Sequence, residues 1–142
     1  MFTGEYRHTI DAKGRIAVPA RFRGELAGVA FVTRWLDGCI AIFPRDAWTD
    51  LSDRVAGLQV SDASARQFAR FLFGGAFDVQ LDAQGRVVLP APLREEAGLN
   101  GDAVVVGMSD HLEIWQPARW AAYSSQMSDP EVFAAHIQGL GI

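Results

Sequence analysis

The stretch Asp11-Ala-Lys-Gly-Arg-Ile-Ala-Val-Pro-Ala-Arg-Phe-Arg23 decides how this chain of 142 residues is organised, because it occurs twice. Its second copy, Asp82-Ala-Gln-Gly-Arg-Val-Val-Leu-Pro-Ala-Pro-Leu-Arg94, lies 71 positions further on, which is half the length of the chain. Seven of the 13 positions are identical, and at four of the others one apolar residue replaces another. Such a repeat indicates one folding unit present in two copies.

The similarity extends on both sides of this stretch. Upstream, Phe2-Thr-Gly4 aligns with Phe73-Gly-Gly75 at the same offset, and downstream Trp48 aligns with Trp120 at an offset of 72. A unit of ~50 residues encloses little apolar surface alone, so we expect the two copies to share one core. The predicted segments are a first repeat with a helix at 1–58, a connecting helix at 59–73, and a second repeat with C-terminal helices at 74–142.

Each copy predicts two strands joined by a tight turn. Asp favours the first position of such a turn, and Gly favours the left-handed position that closes a hairpin. Pro19 and Pro90 suit the first turn of a helix. The predicted strands lie at 7–10 and 15–18, and at 79–81 and 86–89; the helices that follow lie at 20–26 and 91–97; a second hairpin joins 29–35 to 39–43, and 103–107 to 112–115.

Elsewhere the apolar residues recur at helical spacing. This predicts helices at 45–58 and 61–73, the latter capped by Ser61 or Asp62, and two more at 118–126 and 130–138. The fold class is therefore mainly β with packed helices (α+β). Four Trp and nine Phe are many for this length. We expect part of this aromatic surface to contact neighbouring subunits, the alternative being one large core.

Composition excludes several classes of protein. Hydrophobic residues make up 49% and charged residues 21%, as in globular rather than disordered chains. Cys39 is the single cysteine, which excludes an intramolecular disulfide. No secretory signal opens the chain, and no stretch reaches the ~20 apolar residues of a membrane span. We expect a cytoplasmic protein without membrane contact.

Residue patterns that carry catalysis are missing. His8, His111 and His136 do not have the spacing of metal ligands, and no serine lies in a Gly-x-Ser-x-Gly turn. Gly74-Gly75 precedes a predicted strand rather than a helix, unlike a phosphate-binding loop. We therefore expect no enzyme activity, no cofactor, no metal and no small-molecule substrate.

Positive charge is concentrated around the first copy. The whole chain has a net charge of −4, yet residues 7–23 carry +4 and the remaining residues −8. The second copy, 82–94, carries only +1, with Gln84 in place of Lys13 and Pro92 in place of Arg21. A solvated charged face is the simpler interpretation. The alternative, which we favour, is a DNA contact, because a two-stranded ribbon fits the major groove.

Arg15 and Arg86 follow the two predicted turns. The turn explains Asp and Gly fully, but any polar residue would serve in place of the arginine. Arginine is suited to bidentate bonds with guanine or phosphate. The predicted DNA contacts are Arg15, Lys13, Arg86, Arg7, Arg21 and Arg23, with Asp11, Gly14, Asp82 and Gly85 supporting the turns.

The two motifs, together with the opening Met1-Phe2-Thr-Gly4, resemble the MraZ family of bacterial transcriptional regulators, within the wider AbrB/MazE/SpoVT superfamily. The resemblance implies a double swapped-hairpin AbrB-like β-barrel formed by two tandem repeats. It also implies a nucleoid-associated ring of subunits that binds direct repeats in the promoter of the division and cell-wall gene cluster, chiefly as a repressor. Finally, it places the DNA-contacting Asp and Arg at Asp11/Arg15 and Asp82/Arg86.

Two other functions stay open at this point. An antitoxin-like protein-interaction module of the same superfamily is the first, although the regions after each hairpin are predicted to be apolar helices rather than a disordered acidic tail. A small hydrolase or ligand-binding protein is the second, for which the sequence offers no site.

Overall fold

The computed structural model describes all residues 1–142 as eight strands and five α-helices. The strands are β1 (Glu5–Thr9), β2 (Arg15–Ala17), β3 (Val29–Arg34), β4 (Ile40–Pro44), β5 (Phe77–Gln80), β6 (Arg86–Val88), β7 (Asp102–Gly107) and β8 (Leu112–Trp115). The helices are α1 (Arg45–Ala56), α2 (Ala63–Gly74), α3 (Ala91–Ala97), α4 (Pro117–Ser124) and α5 (Pro130–Ile137), with single 3₁₀ turns at Ala20–Phe22, Leu36–Gly38 and Ser125–Met127. None of the helices is long and apolar enough to cross a membrane.

The two repeats exchange strands. Six strands form one antiparallel sheet in the order β1-β7-β8-β4-β3-β5, and β2 pairs with β6 in a separate two-stranded ribbon. In the large sheet, β1 of the first repeat pairs with β7 of the second, while β5 of the second pairs with β3 of the first. Each repeat therefore completes the sheet of the other.

This pairing corrects one prediction. The turns at 11–14 and 82–85 form as expected, but the strands on either side of each turn do not pair as a hairpin; both take partners from the other repeat. The reason is burial: Ile16 and Val87 lie opposite each other in the ribbon, and each is 1% exposed. A turn sets the direction of the chain, whereas the partner that removes both side chains from water sets the pairing.

The core is shared, which confirms the expectation of one core for both repeats. Nineteen buried residues from both copies form it, between the large sheet and the ribbon. Equivalent positions of the repeat meet there, including Phe22 and Leu93. Burying one such side chain stabilises the fold by about 1.5–3 kcal/mol, so neither repeat keeps this core without the other.

Helices α1 and α2 cover part of the opposite face of the sheet. Phe43, Trp48 and Leu72 form a second cluster there, and the ring of Trp48 stacks on Phe31 with centroids 5.2 Å apart. Asp62 caps α2 by accepting hydrogen bonds from the backbone N–H groups of residues 64 and 65, at 2.8 and 3.3 Å. The helix predicted at 61–73 is observed at Ala63–Gly74, with Asp62 rather than Ser61 as its cap.

The short helices after the ribbon strands differ between the repeats. In the second repeat α3 forms as predicted and ends at Gly98, which has a φ of +67°. In the first repeat the predicted helix at 20–26 is wrong, since only a 3₁₀ turn at Ala20–Phe22 forms. Gly24 stands where the second repeat has Glu95, and glycine in a helix interior costs about 0.5–1 kcal/mol relative to alanine.

The C-terminal helices form close to their predicted bounds but bury little. No residue of α5 is buried, and Val132 and Phe133 on it are 47% and 36% exposed. Among the aromatic residues, Trp115 is buried whereas Phe73 is 39% exposed. The aromatic residues therefore do not all enter one core.

Candidate nucleic-acid interface

Asp11 fixes both the backbone of the first turn and the side chain of Arg15. Asp11 Oδ1 accepts hydrogen bonds from the backbone N–H groups of Lys13 and Arg15, both at 2.9 Å. Asp11 Oδ2 accepts a third from Arg15 Nε at 2.7 Å. The Gly14 N–H closes the turn on the Asp11 carbonyl at 3.0 Å, with a φ of +80°. This holds the guanidinium in one orientation before any ligand arrives, which lowers the entropy cost of binding.

The second turn repeats this geometry. Asp82 Oδ1 accepts from the backbone N–H groups of Gln84 and Arg86 at 2.9 Å each, and Asp82 Oδ2 accepts from Arg86 Nε at 2.8 Å. Gly85 has a φ of +77°. The prediction that Asp and Gly build both turns is confirmed.

The terminal nitrogens of the two arginines are used differently. Those of Arg15 donate to no group within the chain, so they are free to bind an external acceptor. Those of Arg86 face groups of the protein: Nη2 donates to Gln84 Oε1 at 3.3 Å, and Nη1 lies 3.9 Å from Asp11 Oδ2. The first repeat therefore presents an uncommitted guanidinium edge, and the second presents one that is partly occupied.

The acidic partners stay ionised at neutral pH. The N–H of Arg15 and, to a smaller extent, its guanidinium and the N–H of Lys13 hold the pKa of Asp11 below its ordinary value, against a smaller opposing effect of burial. Arg86 and Gln84 lower the pKa of Asp82 in the same way. Both arginines are therefore held by charged carboxylates across the physiological range.

The ribbon presents both arginines on its outer face. Register pairs Arg15 with Val88 and Ala17 with Arg86, while the intervening Ile16 points into the core. The side chains of Arg15 and Arg86 are 29% and 30% exposed. Lys13 is exposed at the tip of the turn beside Arg15. The structure thus brings together three of the six residues predicted to contact DNA.

The other three are placed differently. Arg21 is exposed, donates to the Tyr6 hydroxyl at 3.0 Å and lies over a phenylalanine ring. Arg23 donates from Nε to the carbonyl of Val18 at 3.0 Å. Arg7 lies on β1, where strand alternation places it on the face opposite Tyr6, whose ring packs against the core. The ribbon and Arg7 therefore occupy different sides of the large sheet.

Two residues near the turns were missed by sequence reasoning. Gln84 was treated as a lost positive charge, yet its side chain accepts a hydrogen bond from Arg86. Arg94 was noted only as the end of the repeated stretch, and it lies against the turn of the other repeat. The available signal was its identity with Arg23 at the same position of the repeat.

Fold and interface together define an α+β protein of two strand-exchanged repeats with an arginine-bearing ribbon on its surface. A family model described as "MraZ protein, putative antitoxin-like" matches the chain twice, at residues 1–71 and 72–138. The chain belongs to the MraZ family.

Relatives over the full length agree with this assignment. A protein of Desulfitobacterium hafniense is 49% identical over 143 residues, covering 100% of both chains. One of Moorella thermoacetica is 49% identical over 130 residues, covering 91% of this chain and 90% of its own. One of Roseiflexus castenholzii is 45% identical over 141 residues, covering 99% of each. All three carry the name Transcriptional regulator MraZ.

Proposed function

We propose that this protein is a transcription regulator, without enzyme activity, that binds double-stranded DNA in a sequence-specific manner through the β2–β6 ribbon. The observation that carries the proposal is Arg15, which Asp11 fixes through Nε while its terminal nitrogens have no partner in the chain. An arginine in this state is prepared for two parallel hydrogen bonds to guanine O6 and N7. Lys13 beside it contacts phosphate, and the names of the relatives point the same way.

The proposed target is a set of direct repeats in the promoter of the division and cell-wall gene cluster, bound chiefly in repression by a nucleoid-associated, cytoplasmic protein. The resemblance of the two motifs to the MraZ family supports this. We also propose that the strands close a double swapped-hairpin barrel, which the exchange of β1 and β5 between the repeats supports. The units 1–58, 59–73 and 74–142 stay a prediction.

Self-association into a ring is part of the proposal, and two properties support it. The few positive charges on the ribbon of one subunit bind DNA weakly, but several copies on one assembly bind together through their effective concentration. The molecule also exposes large apolar side chains that a second copy would cover, such as Phe73, Phe77 and Phe133, at 39%, 40% and 36% exposed. Light scattering that gives a monomer at micromolar concentration contradicts the ring.

The test is a mobility-shift and footprint assay on the DNA immediately upstream of the protein's own gene. Arg15→Ala is expected to weaken binding by about 1–3 kcal/mol and to relax the base preference. The matched control is Arg54→Ala, an exposed arginine of α1 on the helix side of the sheet. Log affinity should fall with log salt by roughly 0.9 for each neutralised phosphate. Equal DNA affinity of Arg15→Ala and Arg54→Ala would contradict the assignment of Arg15 as a DNA contact.

A protein-interaction module is the second candidate, and one observation favours it. Helix α5 exposes apolar residues and buries none. A small protein partner that co-purifies with the full chain, and is lost when Phe133 is changed to Ser, would support this function.

A further inference from the structure

The last arginine of the repeated stretch has the same anchorage in both copies. Arg23 Nε donates to the carbonyl of Val18 at 3.0 Å, and Arg94 Nε donates to the carbonyl of Leu89 at 2.8 Å. Each bond runs back to the end of the arginine's own ribbon strand. Because Nε is used in this way, the rest of each guanidinium is held at a fixed place beyond the strand end.

That place is the turn of the other repeat. A Cβ on Gly14 would lie 2.9 Å from both Nε and Cζ of Arg94, and a Cβ on Gly85 would lie 2.5 Å from Cζ of Arg23. Real side chains do not approach so closely, so the guanidinium fills the space that glycine leaves open. The positive φ favours glycine in both turns, and the missing Cβ leaves room for the arginine of the other repeat to pack on the turn.

Backbone hydrogen bonds join the same partners. The Val18 N–H donates to the Gly85 carbonyl at 2.9 Å, and the Leu89 N–H donates to the Gly14 carbonyl at 2.8 Å. Each strand end therefore contacts the turn of the other repeat in two ways. Its own N–H donates to the glycine carbonyl of that turn, and the arginine bound to its carbonyl packs on the same glycine. The arrangement is reciprocal between the repeats.

We propose that Arg23 and Arg94 are positioning residues that act crosswise, each holding in place the DNA-reading turn of the other repeat. Arg94 orders the first turn, which carries Lys13 and Arg15, and Arg23 orders the second, which carries Arg86. In giving the turns a role in DNA reading, this inference rests on the proposed function; the crosswise contact itself does not.

Amide hydrogen exchange of the full-length protein, without DNA, tests the contact. The probes are the N–H groups that donate to the two turn carboxylates: residues 13 and 15 in the first turn, 84 and 86 in the second. Arg94→Gln should speed exchange in the first turn on the order of tenfold, the loss of about one hydrogen bond, and leave the second unchanged. Arg23→Gln should do the reverse.

A matched control separates positioning from general loss of stability. Arg119 also donates to backbone carbonyls, those of Gly38 at 3.2 Å and Glu96 at 3.0 Å, and it lies over Gly98 rather than over either turn glycine. Arg119→Gln should change exchange at neither turn selectively. Three results would overturn the proposal. They are faster exchange in the turn of the repeat that carries the arginine substitution, equal changes in both turns, and no change in either turn.

Lysine variants separate positioning from charge. Arg94→Lys keeps the charge but lacks the Nε donor, so we expect exchange as fast as in Arg94→Gln; exchange like that of the wild type would overturn the proposal. Should Arg94→Gln not fold, the lysine variant gives the crosswise measurement.

DNA binding provides a second test of the proposal. Arg94→Gln should weaken binding more than Arg23→Gln, because it loosens the more basic turn, and the reverse order contradicts the assignment. If Arg15→Ala leaves DNA affinity unchanged, the proposed function is contradicted. The crosswise contact between the repeats is tested separately, by hydrogen exchange in the absence of DNA.

Discussion

The turns of the two repeats are nearly identical in geometry and different in charge. The Asp-to-Nε distance is 2.7 Å in the first and 2.8 Å in the second, and all four backbone bonds to the two carboxylates are 2.9 Å. The residues between differ: Lys13 against Gln84, with Arg21 against Pro92 further along. The identical residues set the shape of the turn, and the variable residues set what each turn offers to an anion.

Asp11 adds a second difference between the repeats. It binds Arg15 closely and also lies 3.9 Å from Arg86, whereas no contact joins Arg15 to Asp82. Negative charge near Arg86 therefore exceeds that near Arg15, and Gln84 occupies one of its donors. The second turn is a weaker anion site for reasons of charge and of hydrogen-bond availability together.

The largest effect is expected on the free energy of unfolding, and it shows whether the two repeats fold independently. Phe22 and Leu93 are equivalent positions of the repeat, 1% and 3% exposed in the shared core. Phe22→Ala should lower the free energy of unfolding by about 3–5 kcal/mol and Leu93→Ala by about 2–5 kcal/mol. Because the core is shared, urea denaturation should show one transition in both variants. Leu58→Ala, on a side chain 46% exposed, is the control; two separate transitions would mean that the repeats fold separately.

The next largest effect is expected on DNA affinity, when Lys13 of the first turn and Gln84 of the second are each replaced by the residue of the other turn. Lys13→Gln should weaken binding several-fold and reduce the salt slope by about 0.9, the value for one phosphate contact. Gln84→Lys introduces the same charge in the second turn and also removes the acceptor of Arg86. It should strengthen binding if that turn reaches DNA. Salt titrations of both variants measure this, and an unchanged slope for Gln84→Lys would restrict the contact to the first repeat.

Local features of the fold could be predicted from the sequence, and pairing between distant segments could not. Asp-x-x-Gly-Arg specifies its turn within five residues, so both turns, and the strands that flank them, were predicted correctly. The choice of β7 rather than β2 as the partner of β1 depends on which arrangement buries Ile16 against Val87. No local pattern contains that information.

The same reason explains the outcome for the candidate site. Lys13 and Arg15 belong to one turn and the strand that follows it, so local reasoning places them together, whereas the position of Arg86 beside them depends on the pairing of β2 with β6. Arg7 belongs to a different strand, whose outer face is set by its pairing with β7. Arg23 was predicted to contact phosphate from its charge alone, whereas its contact with Gly85 requires knowledge of how the repeats meet.

A smaller effect concerns the missing helix of the first repeat. A Cβ on Gly24 meets no atom within 4 Å, and its φ is not positive, so Gly24→Ala should stabilise the protein by about 0.4–1 kcal/mol. Gly28 is the matched control, since a Cβ there also meets nothing but its φ is +81°. Gly28→Ala should destabilise. The free energy of unfolding from urea midpoints measures both, and equal effects would remove glycine as the reason for the short 3₁₀ turn.

The smallest expected effect is a pH dependence that distinguishes the second hairpins of the repeats. At the offset of 72, His111 stands where the first repeat has Cys39, and both are buried. Burial lowers the pKa of His111, but Glu113 and Asp110 more than offset this, so its pKa lies above the ordinary value. His111 Nδ1 lies 2.7 Å from Asp110 Oδ1, and Nε2 lies 3.6 Å from Glu113 Oε2. Asp110 is 61% exposed, so solvent screens its charge and the gain is modest.

A raised pKa in the folded state means that the protonated imidazole stabilises the fold. Its contribution is complete below about pH 6.5, the ordinary value for histidine, and is lost as the pH rises through the raised pKa. The pKa of His8 is lowered by burial and by Arg23. Its protonation therefore changes the stability only below about pH 6.5, and not in the range above it. Unfolding free energies should therefore decline above about pH 6.5 in the wild type and in the exposed control His136→Gln, but not in His111→Gln. An equal decline in all three would assign the pH dependence to other groups.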